Sequence, residues 1–312
     1  MKFAIFGAGG IGAYLGARLA DVGHEVHLIA RGEHLAALQS EGLRVESVAG
    51  DTIVDLPATD DPAEIGPCDY VLFCVKGYDT RDAATDLDPL LKAETAVVSF
   101  QNGVDNERWL ADAIGREHVV GGVAYVFSTI KEPGVVEHTG GPARFVYGEF
   151  DGERTARITA LDDALSASQG VEAVLADDIE VELWRKFAFI CAQAGMTATT
   201  RLPLGTIRDT DATWEMYRRI IDEVTAVAQE RDVDLPTDVV ADWMEFARGL
   251  DPESYSSLHY DLTHDKRLEL DVLHGSVVRH ASETEVDVPM NEAVYAMLRP
   301  WADRAEASGE KS

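Results

Sequence analysis

The first half of the chain alternates short apolar runs with segments whose apolar residues recur at helical spacing. The runs at residues 3–6, 25–29, 69–75 and 96–100 predict strands, and the segment 11–22 predicts a helix after the first strand. Residues 119–130, 134–138 and 144–149 predict a strand-rich finish with a turn at Pro133-Gly134. Strands that alternate with helices indicate a parallel sheet covered on both faces.

The second half has a different period, because its apolar residues recur at helical spacing from about residue 178 onward. One helix face collects Trp214, Tyr217, Ile220, Ile221, Val224, Val227 and Ala228. Residues 262–280 and 291–307 also predict helices, Asp251-Pro252 predicts a helix start, and the polar end at 309–312 predicts fraying. We therefore predict an α/β fold in which a doubly wound sheet, residues 1–177, precedes an all-helical domain, residues 178–312.

Composition is consistent with a chain that folds into a core. The 312 residues are 46% hydrophobic, which excludes a wholly disordered chain, and no apolar run approaches the ~20 residues of a membrane helix. The N-terminus lacks the pattern of a signal peptide, and the 3 cysteines lack the CxxC spacing of a zinc site. We expect a cytoplasmic protein without a metal, since HExxH and P-loop patterns are absent too.

Acidic residues dominate the charge, and the formal net charge is −29. Nucleic acid carries charge of the same sign, so its non-specific binding is disfavoured. Salt would screen the self-repulsion of such a surface, which leads us to expect adaptation to a salt-rich cytoplasm. A protein that is merely acidic is the alternative.

A glycine-rich segment follows the first predicted strand and opens the first predicted helix. Its residues, Gly7, Ala8, Gly9, Gly10, Ile11 and Gly12, match G-x-G-x-x-G in the context that gives this pattern meaning for dinucleotide binding. The first glycine permits a tight turn, the second lets the backbone approach a pyrophosphate, and the third lets helix and strand pack closely. A glycine-rich turn without a ligand is the alternative.

The end of the second predicted strand bears on the choice of dinucleotide. An NAD site usually carries a carboxylate there, whereas this chain has Arg31. A guanidinium binds a 2′-phosphate that a carboxylate would repel, so we expect NADP. A solvated arginine at a strand end is the alternative.

Three further polar residues are candidates for the same site. Lys76 and Asn102 follow the third and fourth predicted strands, and ligands of open α/β sheets bind at the carboxyl ends of strands. Lys186 lies in an apolar helical segment, where burial would lower the pKa of a lysine and suit it to donate a proton. Surface or turn roles, and for Lys186 a side chain that reaches solvent from a helix edge, are the alternatives.

These motifs, in their order and spacing, resemble the ketopantoate reductases (2-dehydropantoate 2-reductases) over nearly the whole chain. The resemblance rests on Gly7–Gly12, Arg31, Val75-Lys76, Gln101-Asn102-Gly103, Glu182-Leu183-Trp184-Arg185-Lys186, Ser256-Ser257-Leu258, Leu268-Glu269-Leu270-Asp271 and Val288-Pro289-Met290-Asn291. It implies an NADPH-binding Rossmann domain, a helical domain, and reduction of ketopantoate to pantoate on the route to pantothenate and coenzyme A.

The same resemblance implies roles for individual residues. Lys186 corresponds to the proton donor, and Glu269 to an acidic residue that contacts cofactor and substrate and holds the lysine. Ser257 corresponds to a substrate-binding serine, Lys76 and Asn102 correspond to cofactor contacts, and Asn102 also faces the substrate. Without the resemblance, Glu269 would be a surface charge and Ser257 a helix-start residue.

The chain departs from the family pattern at three positions that often carry amides. They are Ile190, Ala194 and Leu204, and an apolar residue there removes a partner from a substrate hydroxyl. Gln193 and Arg201 are candidates to compensate. The leading hypothesis is therefore an NADPH-dependent reductase of a 2-oxo acid, ketopantoate first. A reductase of another 2-oxo acid and a non-catalytic NADP-binding regulator are the alternatives, and we expect a homodimer.

Overall fold

The computed structural model describes residues 1–309, so the last three residues of the predicted frayed end lie outside the described residues. The chain divides into two compact units. The first comprises Met1–Gln101 and Asn106–Glu182, and the second comprises Asn102–Asp105 and Leu183–Ser312. The short segment Asn102–Asp105 therefore groups with the helical unit although it is flanked in sequence by the sheet unit.

One mixed sheet forms the centre of the first unit. Its strands are β1 (Lys2–Phe6), β2 (Glu25–Ile29), β3 (Leu43–Ser47), β4 (Thr52–Val54), β5 (Ala58–Thr59), β6 (Tyr70–Phe73), β7 (Ala96–Ser99), β8 (Val119–Glu132), β9 (Val135–Gly148) and β10 (Glu172–Leu175). They lie in the order β4-β3-β9-β8-β7-β6-β1-β2-β5, and β10 pairs with β9. The run from β2 through β8 is parallel, which places the carboxyl ends of β1, β2, β6 and β7 at one edge.

Helices cover this sheet on both faces. They are α1 (Gly10–Asp21), α2 (Gly32–Glu41), α3 (Thr80–Ala84), α4 (Asn106–Ile114) and α5 (Ala156–Ala167). Alternate residues of β1 enter different cores: Phe3 and Ile5 pack in the cluster that contains α1 and α5, and Ala4 and Phe6 in the cluster that contains α3 and α4. This alternation explains why the strand is an unbroken apolar run.

The predicted α/β fold with a helical second half is confirmed. The predicted strand over residues 25–29 matches β2 without a shift, and the predicted helix over 11–22 corresponds to α1. The strand-rich finish forms a long antiparallel hairpin of β8 and β9 that extends the parallel part of the sheet. The turn of this hairpin contains Gly134, whose φ of +78° is a conformation that favours glycine.

The second unit is built from helices. They are α6 (Ile179–Thr200), which begins in the first unit, and α7 (Leu204–Arg208), α8 (Asp211–Glu230), α9 (Val239–Gly249), α10 (Ser257–Thr263), α11 (His274–Thr284) and α12 (Pro289–Gly309). The predicted apolar face of α8 is buried from Tyr217 to Ala228, and Trp214 at its beginning is half-buried. Within residues 1–309, no helix has both the length and the apolar character of a membrane span.

Two helix predictions in this unit are wrong. Residues 262–280 are not one helix, because α10 ends at Thr263 and α11 begins at His274. Asp265 follows α10 with a φ of +52°, a left-handed conformation that aspartate tolerates and that interrupts a helix. Asp251 does not start a helix either, since its carboxylate accepts a hydrogen bond from the Glu253 N–H within a turn. Helix α10 begins instead after Ser256, whose hydroxyl accepts from the His259 N–H.

Candidate active site

The glycine-rich turn, residues 7–12, joins β1 to α1, and three of its glycines, Gly7, Gly10 and Gly12, are required by close packing. Gly7 has a φ of +99°, and a Cβ there would lie 2.8 Å from the backbone nitrogen of Val75. A Cβ on Gly12 would lie 2.3 Å from the carbonyl oxygen of Gly7 and 2.8 Å from Cγ2 of Ile5. Gly7 therefore permits the turn, and Gly12 permits close contact between helix and strand.

Gly10 packs closely against β8, whereas Gly9 has open space beside it. A Cβ on Gly10 would lie 2.2 Å from the carbonyl oxygen of Ser128 on β8, whereas a Cβ on Gly9 would meet no atom within 4 Å. Gly9 is also the residue before α1, and it offers no side chain to the first N–H groups of that helix. Open space beside the N-terminus of a twelve-residue helix fits a phosphate group, which would accept hydrogen bonds from those N–H groups.

Hydrogen bonds from outside the motif hold this turn in place. The N–H groups of Gly7 and Ala8 donate to the Ile29 carbonyl at the end of β2, at 3.2 and 2.9 Å. His34 donates from Nε2 to the Ala8 carbonyl at 2.8 Å, and its Nδ1 accepts from the Gly134 N–H at 3.1 Å. Burial lowers the pKa of His34, which favours the neutral ring that this arrangement needs. No local motif identified His34, because its partners lie far away in sequence.

Arg31 and Lys76 occupy the carboxyl edge of the same sheet. Arg31 follows the end of β2 as the residue before α2, with an extended backbone and an exposed side chain. Lys76 follows the end of β6, is half-buried, and precedes a short 3-10 turn at Gly77–Asp79. The first unit thus brings Arg31, Lys76 and the glycine-rich turn to the strand ends where ligands of α/β sheets bind.

Lys186 and Asn102 form the centre of the candidate site in the second unit. The ammonium of Lys186, on α6, donates to Oδ1 of Asn102 at 2.9 Å. Both residues are half-buried. These two residues lie 84 positions apart in sequence, so the fold brings together two candidates that the sequence could only name separately.

The segment that carries Asn102 is fixed at its other end by Asp105. The buried Asp105 carboxylate accepts hydrogen bonds from Ser276 Oγ at 2.7 Å, Arg279 Nη2 at 3.0 Å and His280 Nε2 at 3.0 Å. These three donors lie on α11, and we call them, with Asp105, the Asp105 anchor. Burial by itself raises the pKa of Asp105, but the hydrogen bonds from His280 and Ser276 outweigh it and hold that pKa well below its usual range.

Glu269 and Ser257 also belong to the second unit, in different surroundings. Glu269 is 5% exposed and lies in the turn between α10 and α11. The surface-charge alternative for Glu269 is therefore wrong. Ser257 is the exposed first residue of α10, whereas its neighbour Ser256 is buried and hydrogen-bonded to Thr197 at 2.7 Å. Ser257 does lie at a helix start, as its alternative held.

The three apolar residues that depart from the family pattern lie fully or partly in the interior of the structure. Ala194 and Leu204 are buried and Ile190 is half-buried. Of the two residues proposed to compensate, Gln193 accepts a hydrogen bond from the Tyr217 hydroxyl, and the Arg201 guanidinium lies over the ring of Trp301. The described residues contain no group of three or more His, Cys, Asp or Glu side chains that could hold a metal ion.

Comparison with known families gives two matches that together span most of the chain. Residues 3–152 match the family model described as "Ketopantoate reductase PanE/ApbA", and residues 178–302 match "Ketopantoate reductase PanE/ApbA C terminal".

Individual relatives match from end to end. An oxidoreductase of Bacillus subtilis (strain 168), YkpB, described as uncharacterized, is 33% identical over 96% of this chain and 99% of its own length. A 2-dehydropantoate 2-reductase of Mesorhizobium japonicum is 31% identical over 97% of this chain and 98% of its own length. The crystal structure of a PanE/ApbA family ketopantoate reductase from Ralstonia eutropha JMP134 superposes with a TM-score of 0.90 and 35% identity, covering 98% of this chain and 100% of that chain.

Proposed function

The chain belongs to the ketopantoate reductase family of oxidoreductases, and from that premise we propose that it reduces a 2-oxo acid with NADPH. The proposed substrate is ketopantoate (2-dehydropantoate), and the product pantoate would serve the synthesis of pantothenate and coenzyme A. The observation that carries the proposal is the hydrogen bond between Lys186 and Asn102, because a positioned ammonium is what reduction of a ketone requires of the protein.

The first unit supplies the proposed cofactor site. The N–H groups at the start of α1 would hold the pyrophosphate over Gly9, and Arg31 would bind the 2′-phosphate with its guanidinium. Lys76, half-buried at the end of β6, would add a cofactor contact. When bound, NADPH supplies the hydride that adds to the ketone carbon.

The second unit supplies the proposed acid. As hydride adds to the C2 carbon, the carbonyl oxygen gains negative charge, and Lys186 donates the proton that converts it to a hydroxyl. A cation held at this oxygen also stabilises the charge that develops in the transition state. Asn102 orients the ammonium through its amide oxygen, and we propose that it also contacts the substrate. We assign Glu269 to hold lysine and cofactor, and Ser257 to bind substrate.

A more apolar 2-oxo acid is the second candidate substrate. Ile190, Ala194 and Leu204 offer no hydrogen bond to a substrate hydroxyl, and a pocket without such a partner discriminates against a polyol. The reaction type would be unchanged, since Lys186 and Asn102 act on the ketone that both substrates share. A regulator that binds NADP without turnover is the third possibility, but such a protein needs no lysine held by an amide.

The proposal is tested by steady-state oxidation of NADPH at 340 nm in molar KCl, with ketopantoate set against 2-oxoisovalerate. We expect turnover with a preference for ketopantoate. A preference for 2-oxoisovalerate would retain the reaction and overturn the proposed substrate. Tight binding of NADPH without turnover of any 2-oxo acid would contradict the enzyme and favour the regulator.

We also propose that the protein works in a salt-rich cytoplasm, on the strength of its net charge of −29 and its three unpaired cysteines. Screening of like charges predicts a higher melting temperature in molar KCl than in dilute buffer. Equal melting temperatures would contradict salt adaptation. A homodimer is a further proposal, which the molecular mass in the same buffer tests.

A further inference from the structure

We propose that Asp105 is a positioning residue, which fixes Asn102 and through it the proton-donating ammonium of Lys186. The inference rests on the proposed role of Lys186. It goes beyond that role because it assigns a buried carboxylate that touches neither cofactor nor substrate in the proposed mechanism.

A short path joins Asp105 to Lys186. Asp105 lies three residues after Asn102, and both belong to the four-residue segment Asn102–Asp105 that groups with the second unit. Asn102 accepts the Lys186 hydrogen bond at the beginning of this segment, and Asp105 is bound to α11 at its end. Between them Gly103 has a φ of +108°, a conformation that few other residues adopt.

The residues that flank the segment are also held in place. Within the first unit, Gln101 donates from Nε2 to Thr80 Oγ1 at 2.7 Å, and Thr80 donates to Oδ1 of Asn106 at 2.9 Å. All three of these side chains are buried. Within the second unit, a segment of four residues has few alternative backbone conformations once Asp105 is bound to α11, so the place of Asn102 depends on the contact that Asp105 makes.

The donors of the Asp105 anchor suit a carboxylate. Ser276, Arg279 and His280 lie three and four residues apart on α11, so they present their donors on one helix face. A carboxylate only accepts hydrogen bonds, and it satisfies all three donors at once. The lowered pKa of Asp105 keeps it ionised over the range in which an enzyme of this kind would work.

His280 also contacts the helix that carries Lys186. Its ring packs against Trp184 of α6 with centroids 5.4 Å apart, and Trp184 lies two residues before Lys186. His280 thus orients α6 through Trp184 and the Asn102 segment through Asp105. One histidine therefore contacts the two elements that carry the donor and the acceptor of the hydrogen bond between Lys186 and Asn102.

The test compares Asp105→Asn with a matched control. The asparagine amide cannot accept from all three donors, because its NH₂ group faces one side of the anchor. We expect kcat with the preferred 2-oxo acid to fall about 10- to 100-fold, as misplacement of a reacting group does, while the dissociation constant of NADPH stays within about twofold.

The control variant is Glu149→Gln in the first unit. Glu149 is also a buried carboxylate, and it accepts hydrogen bonds from the Thr155 hydroxyl and from two nitrogens of Arg157. We expect this variant to lose thermal stability and to keep kcat within about twofold of wild type. An equal fall of kcat in both variants would show that the Asp105→Asn loss comes from destabilisation and would overturn the inference.

A double variant distinguishes a positioning role of Asp105 from a merely structural one. If Asp105 acts through Lys186, the effect of Asp105→Asn on kcat disappears in a Lys186→Ala background. Persistence of the full effect in that background, or wild-type kcat in Asp105→Asn, would overturn the inference. If Asp105→Asn does not fold, Ser276→Ala and Arg279→Gln take its place, since each removes one donor to Asp105. We expect each variant to lower kcat severalfold. Wild-type kcat in both variants would overturn the inference.

Failure of the inference and failure of the proposed function give different results. Absence of turnover by the wild-type protein with every 2-oxo acid contradicts the proposed function, whatever the variants do. Turnover by the wild type together with wild-type kcat in Asp105→Asn contradicts the positioning role alone.

Discussion

The glycine-rich turn and the surroundings of Lys186 are built in opposite ways. In the turn, Gly12 is required by atoms of Gly7 and Ile5, Gly7 is required by Val75 after the neighbouring strand β6, and the glycine pattern itself is contiguous in sequence. Lys186 donates to Asn102, more than eighty residues earlier, and the segment of Asn102 is bound through Asp105 to α11, about ninety residues after Lys186. The glycine pattern can therefore be recognised in the sequence, whereas contacts between side chains that are distant in sequence cannot.

The largest expected effect concerns the second region. Removal of the ammonium in Lys186→Ala should lower kcat by about 10²-fold or more, as loss of a positioned acid does, while NADPH binding stays nearly intact. Stopped-flow or steady-state oxidation of NADPH measures kcat, and fluorescence titration measures the dissociation constant. Lys266→Ala, at an exposed lysine of the same unit, is the control and should turn over like wild type. Unchanged turnover in Lys186→Ala would remove Lys186 as the proton donor.

The next effect concerns the strand end beside the turn. Arg31→Ala removes charge-assisted hydrogen bonds to a 2′-phosphate, each worth about 1.5–3 kcal/mol, so the affinity for NADPH should fall roughly tenfold or more. NADH lacks that phosphate and should lose little. Titration of both nucleotides against Arg31→Ala and against Arg44→Ala, an exposed arginine of the same unit, measures the difference. Equal losses of NADPH and NADH affinity would show that Arg31 does not read the phosphate.

The smallest effects separate the two roles that glycine plays within the turn. A Cβ at position 12 overlaps the Gly7 carbonyl, so Gly12→Ala should destabilise the fold by about 1–3 kcal/mol. A Cβ at position 9 meets open space, so Gly9→Ala should keep the melting temperature and weaken NADPH binding roughly tenfold by occupying the place of the pyrophosphate. Thermal melts and nucleotide titrations of both variants check this. Wild-type NADPH affinity in Gly9→Ala would place the pyrophosphate elsewhere.

Sequence reasoning reached the α/β fold because β1 and β2 are apolar runs that the sheet buries, and because α8 keeps one apolar face. It failed between α10 and α11, where buried leucines continue a helix-like pattern through a turn that Asp265 imposes by a left-handed backbone. The spacing of apolar residues indicates which positions are buried, and a turn that packs into a core can have the same spacing as a helix.

In the candidate site, too, some residues could be predicted from the sequence and others could not. Arg31 and Lys76 could be named because they follow strands, and the edge of a parallel sheet gathers such residues. Asp105 and His280 could not, since an aspartate after a valine and a histidine in a helix carry no signal until α11 lies beside the Asn102 segment. Ionic pairings of this kind depend on tertiary contacts, which one sequence does not reveal. The roles of Lys186, Glu269 and Ser257 stay predictions that rest on the resemblance and on the geometry together.

The central claim is that the first unit holds the cofactor and the second supplies the proton. Its most direct test measures the NADPH dissociation constant and kcat at saturating NADPH for Gly9→Ala and Lys186→Ala side by side. We predict a crossed result, in which Gly9→Ala loses affinity and keeps kcat while Lys186→Ala keeps affinity and loses kcat. A parallel fall of both quantities in both variants would contradict the division of roles.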